Sequence, residues 1–94
     1  MNFATIKAGG LRPSDVAKLL HISRVAVSLW FNGHSQPHRL IEMRVHRLED
    51  AVRSALQSGD LPISRDVPRN ERYEAKAAAV HKHLQQLGLA AIDS

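Results

Sequence analysis

The stretch PSDVAKLLHISRVAVSLWFNG, residues 13–33, places the strongest constraint on how this chain of 94 residues can fold. Its apolar residues fit two short helices, at residues 13–20 and 24–31, that cross and share one small core. Pro13 suits a first helical turn, and Ser23 can cap the start of the second helix. The residues predicted to form the shared core are Val16, Ala17, Leu20, Ile22, Val27 and Trp30.

The second of these helices would present two faces with different tasks. Val27 and Trp30 would face the shared core, and the remaining face would point outward. The outward residues are Arg24, Val25, Ser28 and Leu29. We therefore expect one face to pack in the core, while the other is available to contact a partner.

The rest of the chain also predicts helices, and it contains no alternating pattern typical of a strand. The coarse helix ranges are residues 2–8, 13–20, 24–31, 37–57 and 70–87. The segment QSGDLPISRDVPRN, which contains a glycine and two prolines, interrupts the chain between the last two helices. We therefore expect an all-α helix-turn-helix bundle of about five helices, with a long fourth helix and a C-terminal helix. Residues 1–58 would form the main domain, residues 59–70 a linker and residues 71–94 the C-terminal helix.

Length and composition exclude several classes of protein. A chain this short forms one domain or a small domain with a tail, which argues against a two-domain enzyme. It has no cysteine, so it can have neither disulfides nor thiolate metal ligands. No apolar run approaches the roughly 18 residues of a membrane span, and the N-terminus has no apolar stretch of signal-peptide length. We therefore expect a soluble, cytoplasmic protein that does not contact a membrane.

The net charge of +4 is distributed unevenly along the chain. Residues 1–47 contain seven Lys or Arg and two Asp or Glu. Residues 48–94 contain six Lys or Arg and seven Asp or Glu. A surface that faces phosphates needs such a basic excess, because each neutralised phosphate releases counterions. A basic face that is merely solvated is the alternative at this point.

The sequence RPSDVAKLLHISRVAVSLWFNGHSQP resembles the helix-turn-helix of the Cro/repressor-type, or xenobiotic-response-element-like, DNA-binding family, to which phage repressors belong. The resemblance covers residues 11–37. The positions that carry it are Ala17, Leu20, Ile22, Ser23, AVS at 26–28, FNG at 31–33 and SQP at 35–37. Two residues depart from the family pattern: Pro13 stands where a phosphate-binding Gln is usual, and His21 stands where the turn usually has Gly.

The resemblance implies that residues 24–31 are a recognition helix that lies in the major groove of double-stranded DNA. The residues implied to contact base edges are Arg24, Val25, Ser28 and Leu29. The residues implied to contact phosphates are Ser14, Asn32, Gly33 through its backbone N–H, His34, Ser35 and Arg39. Arg24 is expected to read sequence, since a guanidinium can bond bidentately to guanine. Asp15 would repel the phosphate near Ser14, and Asn32 could instead serve only as a helix C-cap.

The sequence offers little for catalysis or metal binding. His34 with His38 and His81 with His83 have short spacings, but no further ligands are arranged around them. No Ser or carboxylate pair has a spacing typical of a nucleophile and its base. We therefore expect no enzyme activity, no catalytic residue, no metal and no cofactor.

The two later helices each carry an apolar stripe. The stripe of the long helix is Ile41, Val45, Leu48, Val52 and Ala55, and that of the last helix is Tyr73, Ala77, Val80, Leu84 and Leu87. A helix-turn-helix core of about 35 residues buries little apolar surface, so helices from the same chain or from a twin must support it. We expect the stripe of the last helix to form the interface of a homodimer. Packing of both stripes within one chain is the alternative.

Together these features predict a sequence-specific DNA-binding transcriptional regulator, a repressor that occupies an inverted-repeat operator as a homodimer. Two other functions stay open. One is a protein-interaction module, such as an antitoxin or inhibitor, that binds a protein partner through its C-terminal half. The other is an architectural protein that packages DNA.

Overall fold

The computed structural model describes residues 3–92, and within this range the chain forms five α-helices and no strand. The helices are α1 (Ala4–Ala8), α2 (Pro13–Leu20), α3 (Arg24–Phe31), α4 (Arg39–Ser58) and α5 (Arg72–Gln86), and a short 3-10 helix spans Arg69–Glu71. The all-α fold with a long fourth helix and a C-terminal helix is therefore confirmed. Asn2, where the first helix was predicted to begin, lies outside the described residues, as does the end of the segment predicted at 71–94.

The turn between α2 and α3 is three residues long and closes on a left-handed residue. His21 has φ 54° and ψ 49°, and it is the only non-glycine residue with positive φ in the described chain. Its left-handed backbone directs the N–H of Ile22 back to the carbonyl oxygen of Ala17, at 3.0 Å. His21 thus adopts the left-handed conformation that glycine usually supplies in such a turn, so the turn forms without a glycine.

Both ends of α3 are closed by local hydrogen bonds. At its start, Ser23 Oγ accepts a hydrogen bond from the backbone N–H of Val25 at 3.1 Å, as the sequence predicted for an N-cap. At its end, Gly33 has φ 75°, and the N–H groups of Gly33 and His34 donate to the carbonyl oxygens of Trp30 and Leu29. These caps confine α3 to eight residues.

A single apolar core joins all five helices of the described chain. The core residues predicted in α2 and α3 are buried, and Ile22 in the turn packs against them. The stripe of α4 is buried from Val45 to Ala55, with Ile41 partly buried. At the C-terminal end of α3, the ring of Phe3 lies 6.1 Å from that of Trp30 and 5.3 Å from that of Phe31. The helix-turn-helix is therefore supported on its whole inner side.

The apolar stripe of α5, predicted to form the interface of a homodimer, packs within its own chain in this structure. Val80 is 0% exposed and Leu84 is 3% exposed, because both pack against the core to which α4 contributes. Tyr73 and Ala77 are partly buried against the same core, and only Leu87, at 46%, is largely exposed. The alternative of packing within one chain is the arrangement present.

The segment predicted as a linker at residues 59–70 is also part of this core. Leu61 is buried, and Ile63 packs partly against the cluster. After α5 the chain folds back, and Ile92 is again buried. The segment therefore holds α5 against the main domain. Among the described helices, none combines the length and apolarity that a membrane crossing requires.

Candidate nucleic-acid interface

The outward face of α3 is exposed, as predicted, while its inner face is buried. Val25 is 69% exposed and Leu29 is 41% exposed, although both are large apolar residues. Arg24 is also exposed and Ser28 is partly exposed. These four side chains form one surface, which we call the α3 face. Two apolar side chains in water at adjacent turns of one helix suit contact with a partner.

The charge at the start of α3 is unfavourable for the helix itself. Arg24 is the first residue of α3, and the first turn contains no acidic residue. The N-terminus of a helix carries partial positive charge, so a cation there costs about 0.3–1 kcal/mol relative to a favourable placement. Arg39 is likewise the first residue of α4 and is exposed, but the first turn of α4 also contains the acidic residue Glu42. The stability of α3 therefore does not explain the position of Arg24, whereas an external anion would compensate its charge.

The loop that follows α3 exposes most of the side chains predicted to contact phosphates. Asn32, His34 and Ser35 are exposed, and Asn32 occupies the C-cap position with its backbone N–H donating to Ser28. Gly33 is the exception. Its backbone N–H donates to the carbonyl oxygen of Trp30 at 3.2 Å, so this group already has a partner within the chain. The Schellman turn that ends α3 uses the donor for itself.

Ser14 lies apart from the α3 face, in the first turn of α2, where it is partly exposed. The neighbouring carboxylate of Asp15, expected to repel a phosphate, is engaged instead. Its Oδ2 accepts hydrogen bonds from Lys76 Nζ at 2.8 Å and from the backbone N–H of Arg12 at 2.9 Å. This pairing was not predicted from the sequence, and it offsets the negative charge of Asp15.

Two further cations brace the helix-turn-helix. The guanidinium of Arg44 in α4 donates to the carbonyl oxygens of Leu20, at the end of α2, and of Ile92. Lys7 Nζ in α1 donates to the carbonyl oxygen of Phe31, at the end of α3, at 2.9 Å. Each cation sits at a helix C-terminus, where it compensates the partial negative charge of that end. These contacts tie the end of α2 to α4 and the end of α3 to α1, in addition to the packing of the core.

A second basic region, which the sequence reasoning missed, lies between α2 and the segment leading into α5. It is an open cleft of about 400 Å³ whose lining includes Ser14, Ile63 and Tyr73. Its cationic side chains are Arg12, Lys18, Arg65, Arg69, Arg72 and Lys76, and Asp15 is its single acidic one. The spacing of four and three between Arg65, Arg69 and Arg72 was the available signal. The acidic residues that lie between these arginines in the sequence do not line the cleft. They balance the positive charge when the charges of residues 48–94 are counted together, so the count did not reveal the cleft.

A serine, a histidine and an aspartate come together between α4 and α5, a grouping that linear spacing did not predict. His83 is 2% exposed, its Nδ1 lies 2.8 Å from Ser54 Oγ, and its Nε2 lies 2.7 Å from Asp60 Oδ2. Hydrogen bonds from His83 and then Lys82 lower the pKa of Asp60 from its usual 3.8 to about 2.

The distances among Ser54, His83 and Asp60 resemble those of a catalytic triad, but the surroundings of Ser54 do not. Ser54 lies inside α4, where backbone N–H groups donate to carbonyl oxygens one turn earlier and cannot stabilise an oxyanion. The three side chains instead satisfy a buried imidazole and tie α5 to α4. Among residues 3–92, no three His, Asp or Glu side chains converge in a way that could hold a metal ion.

Comparison of the chain with protein-family models, with curated proteins and with solved structures gave no match.

Proposed function

We propose that the protein is a sequence-specific DNA-binding regulator of transcription, a repressor that acts by occupying its operator. The observation that carries the proposal is the α3 face. It presents an arginine, a serine and two apolar side chains on a short, capped helix whose other side is buried at Val27 and Trp30. A helix of this kind fits the major groove of B-DNA, which admits one α-helix.

The chemistry of the α3 face matches what base edges offer. The guanidinium of Arg24 can donate two hydrogen bonds to guanine O6 and N7. Val25 and Leu29 can contact the methyl group of thymine, and the hydroxyl of Ser28 can donate or accept. Both apolar side chains would be removed from water by the contact, which is favourable without adding charge.

The electrostatics around the α3 face also favour DNA. No acidic residue occurs between Asp15 and Glu42, while this interval contains Lys18, Arg24 and Arg39 as well as three histidines. The side chains of Asn32, His34, Ser35 and Arg39 follow α3 directly and would contact the phosphates on one strand. Such contacts position a recognition helix without reading sequence.

We further propose that two copies bind one inverted repeat. One α3 face offers only Arg24, Val25, Ser28 and Leu29 to the bases. Four side chains distinguish few base pairs, whereas two copies related by a two-fold axis read twice the sequence. The half-site centres would lie about 34 Å apart, so that both recognition helices meet the same side of the duplex. The buried stripe of α5 is not part of this proposal.

The decisive experiment is selection of bound sequences from a pool of random double-stranded DNA, followed by affinity measurements on the selected sequence and on scrambled DNA at several salt concentrations. We expect enrichment of an inverted repeat, tighter binding to it than to scrambled DNA, and a steep loss of affinity with salt. An architectural protein would show the salt dependence without the preference. An interaction module would show neither, and that result would overturn the proposal.

A further inference from the structure

The cleft between α2 and the entrance to α5 concentrates positive charge on one concave surface. Six cationic side chains and one carboxylate line it, although the chain as a whole has a net charge of only +4. Like charges that converge repel one another, and low-dielectric walls make the local potential stronger. This arrangement costs stability in the free protein, so the cleft is suited to an anion.

The pairing of these cations shows which of them can serve a ligand. Lys76 is buried and paired with Asp15, and Lys18 Nζ lies 4.8 Å from the centre of the Tyr73 ring. Arg72 uses one donor, Nε, on the carbonyl oxygen of Val67. Three other arginines, Arg12, Arg65 and Arg69, are exposed and form no ion pair within residues 3–92. Asp15, the only acid in the cleft, is thus paired, while most of the guanidinium donors have no partner among residues 3–92.

From this geometry we propose that the cleft is a phosphate-binding site, separate from the α3 face, for a ligand with at least two phosphate groups. Planar guanidinium groups match phosphate oxygens bidentately, and the hydroxyl of Ser14 adds a neutral donor on the same surface. A volume of about 400 Å³ holds more than one phosphate and lies within the range of small-molecule sites. The phosphates belong either to a free phosphorylated molecule or to the backbone of bound DNA.

The cleft lies between the helix-turn-helix and α5, so a bound ligand would contact both of them. One wall is the first turn of α2, and the other is formed by residues 62–65 and 69–76. Arg12 lies on the α2 side, while Arg65 and Arg69 lie on the other, so a ligand that binds all three bridges the walls. Bound phosphates would therefore hold α2 against α5, in addition to the contact between Asp15 and Lys76.

The first arm of the test uses pyrophosphate and the full chain, titrated by calorimetry at low ionic strength without DNA. The variants are Arg65→Ala and Arg69→Ala, and the matched control is Arg53→Ala, an exposed arginine on α4 that does not line the cleft. We expect saturable binding that each cleft variant weakens about tenfold, as for loss of a charge-assisted hydrogen bond, and that the control leaves unchanged. Thermal melting of all variants checks that they remain folded.

The second arm measures DNA binding by the same variants as a function of salt. If the phosphates are those of DNA, pyrophosphate competes with DNA and each cleft variant lowers the salt slope by about one unit. If they belong to a free ligand, pyrophosphate binds while the slope stays unchanged. The proposal is overturned if neither arm responds, or if Arg53→Ala acts as strongly as Arg69→Ala. Pyrophosphate binding without any selected DNA sequence would refute the proposed regulator and leave the phosphate site standing.

Discussion

Lys76 Nζ lies 2.8 Å from Asp15 Oδ2, although 61 residues separate the two along the chain. The pair is almost fully buried, with 9% and 11% of the two side chains exposed. Asp15 also accepts the N–H of Arg12, so the carboxylate caps α2 while it anchors α5. This contact makes α5 a structural partner of the helix-turn-helix.

Lys76→Met should destabilise the protein by about 3 kcal/mol, because it leaves the carboxylate of Asp15 buried without its cation. Urea unfolding with an unchanged m-value would measure the loss. The matched control is Lys82→Met, which breaks an exposed ion pair with Asp60 and should cost less than about 1 kcal/mol. Equal losses in the two variants would show that burial does not strengthen the Asp15 contact. The double variant Asp15→Asn, Lys76→Met should recover part of the stability.

The faces of α3 could be predicted from the sequence because helical periodicity alone assigns Val27 and Trp30 to one side and Val25 to the other. The Lys76 contact could not, since an ion pair between distant residues depends on tertiary packing. The packing of the α5 stripe could be predicted only in part. Its pattern predicts burial correctly, but burial against the same chain and against a twin require the same residues. The hydrogen bond of the Gly33 N–H within the turn that ends α3 was likewise not predicted, because it depends on the backbone conformation of that turn.

Arg24→Ala should weaken binding to the selected operator by about 1–3 kcal/mol and relax the preference at one base pair of each half-site. The reason is loss of a bidentate contact with guanine, and fold stability should not fall because the side chain is exposed. Binding assays on operators varied one base pair at a time would measure both effects. Equal weakening on every sequence would mean that Arg24 contacts a phosphate.

Arg39→Ala should weaken binding to all DNA sequences alike and lower the salt slope by about one unit, as for a lost phosphate contact. Affinities for the selected and the scrambled duplex across a salt series would show this. The same series with Arg53→Ala serves as the control, because Arg53 is exposed but pairs with Glu49 and Asp50 on α4. An unchanged slope for Arg39→Ala would place that residue off the DNA backbone.

Acid should remove the stabilising contribution of Asp60. Its pKa is lowered in the folded protein from 3.8 to about 2, first by His83 and then by Lys82, so the ionised form is favoured by folding. The contribution is therefore complete above pH 4 and is lost as the pH falls towards 2. Unfolding measurements on wild type and Asp60→Asn should differ most above pH 4 and converge below it. A difference that does not change with pH would contradict the assignment.

The last prediction concerns assembly and separates packing within the chain from packing between chains. Val80 is 0% exposed, so Val80→Asp should bury an unpaired carboxylate and unfold the protein, with a loss of about 3 kcal/mol or more. Leu87→Asp at the C-cap of α5 is the control, since Leu87 is 46% exposed and should tolerate the charge far better than Val80. Circular dichroism melting distinguishes the two outcomes.

Light scattering on the wild type at micromolar concentration completes that test, and we expect the mass of two chains. A wild-type mass of one chain, both free and on a single half-site, would refute the homodimer. If Val80→Asp instead remained helical and only lost half of its mass, the α5 stripe would lie between chains. In that case α5 would be exchanged between two copies, because the core leaves Val80 no exposed surface on which a twin could otherwise dock.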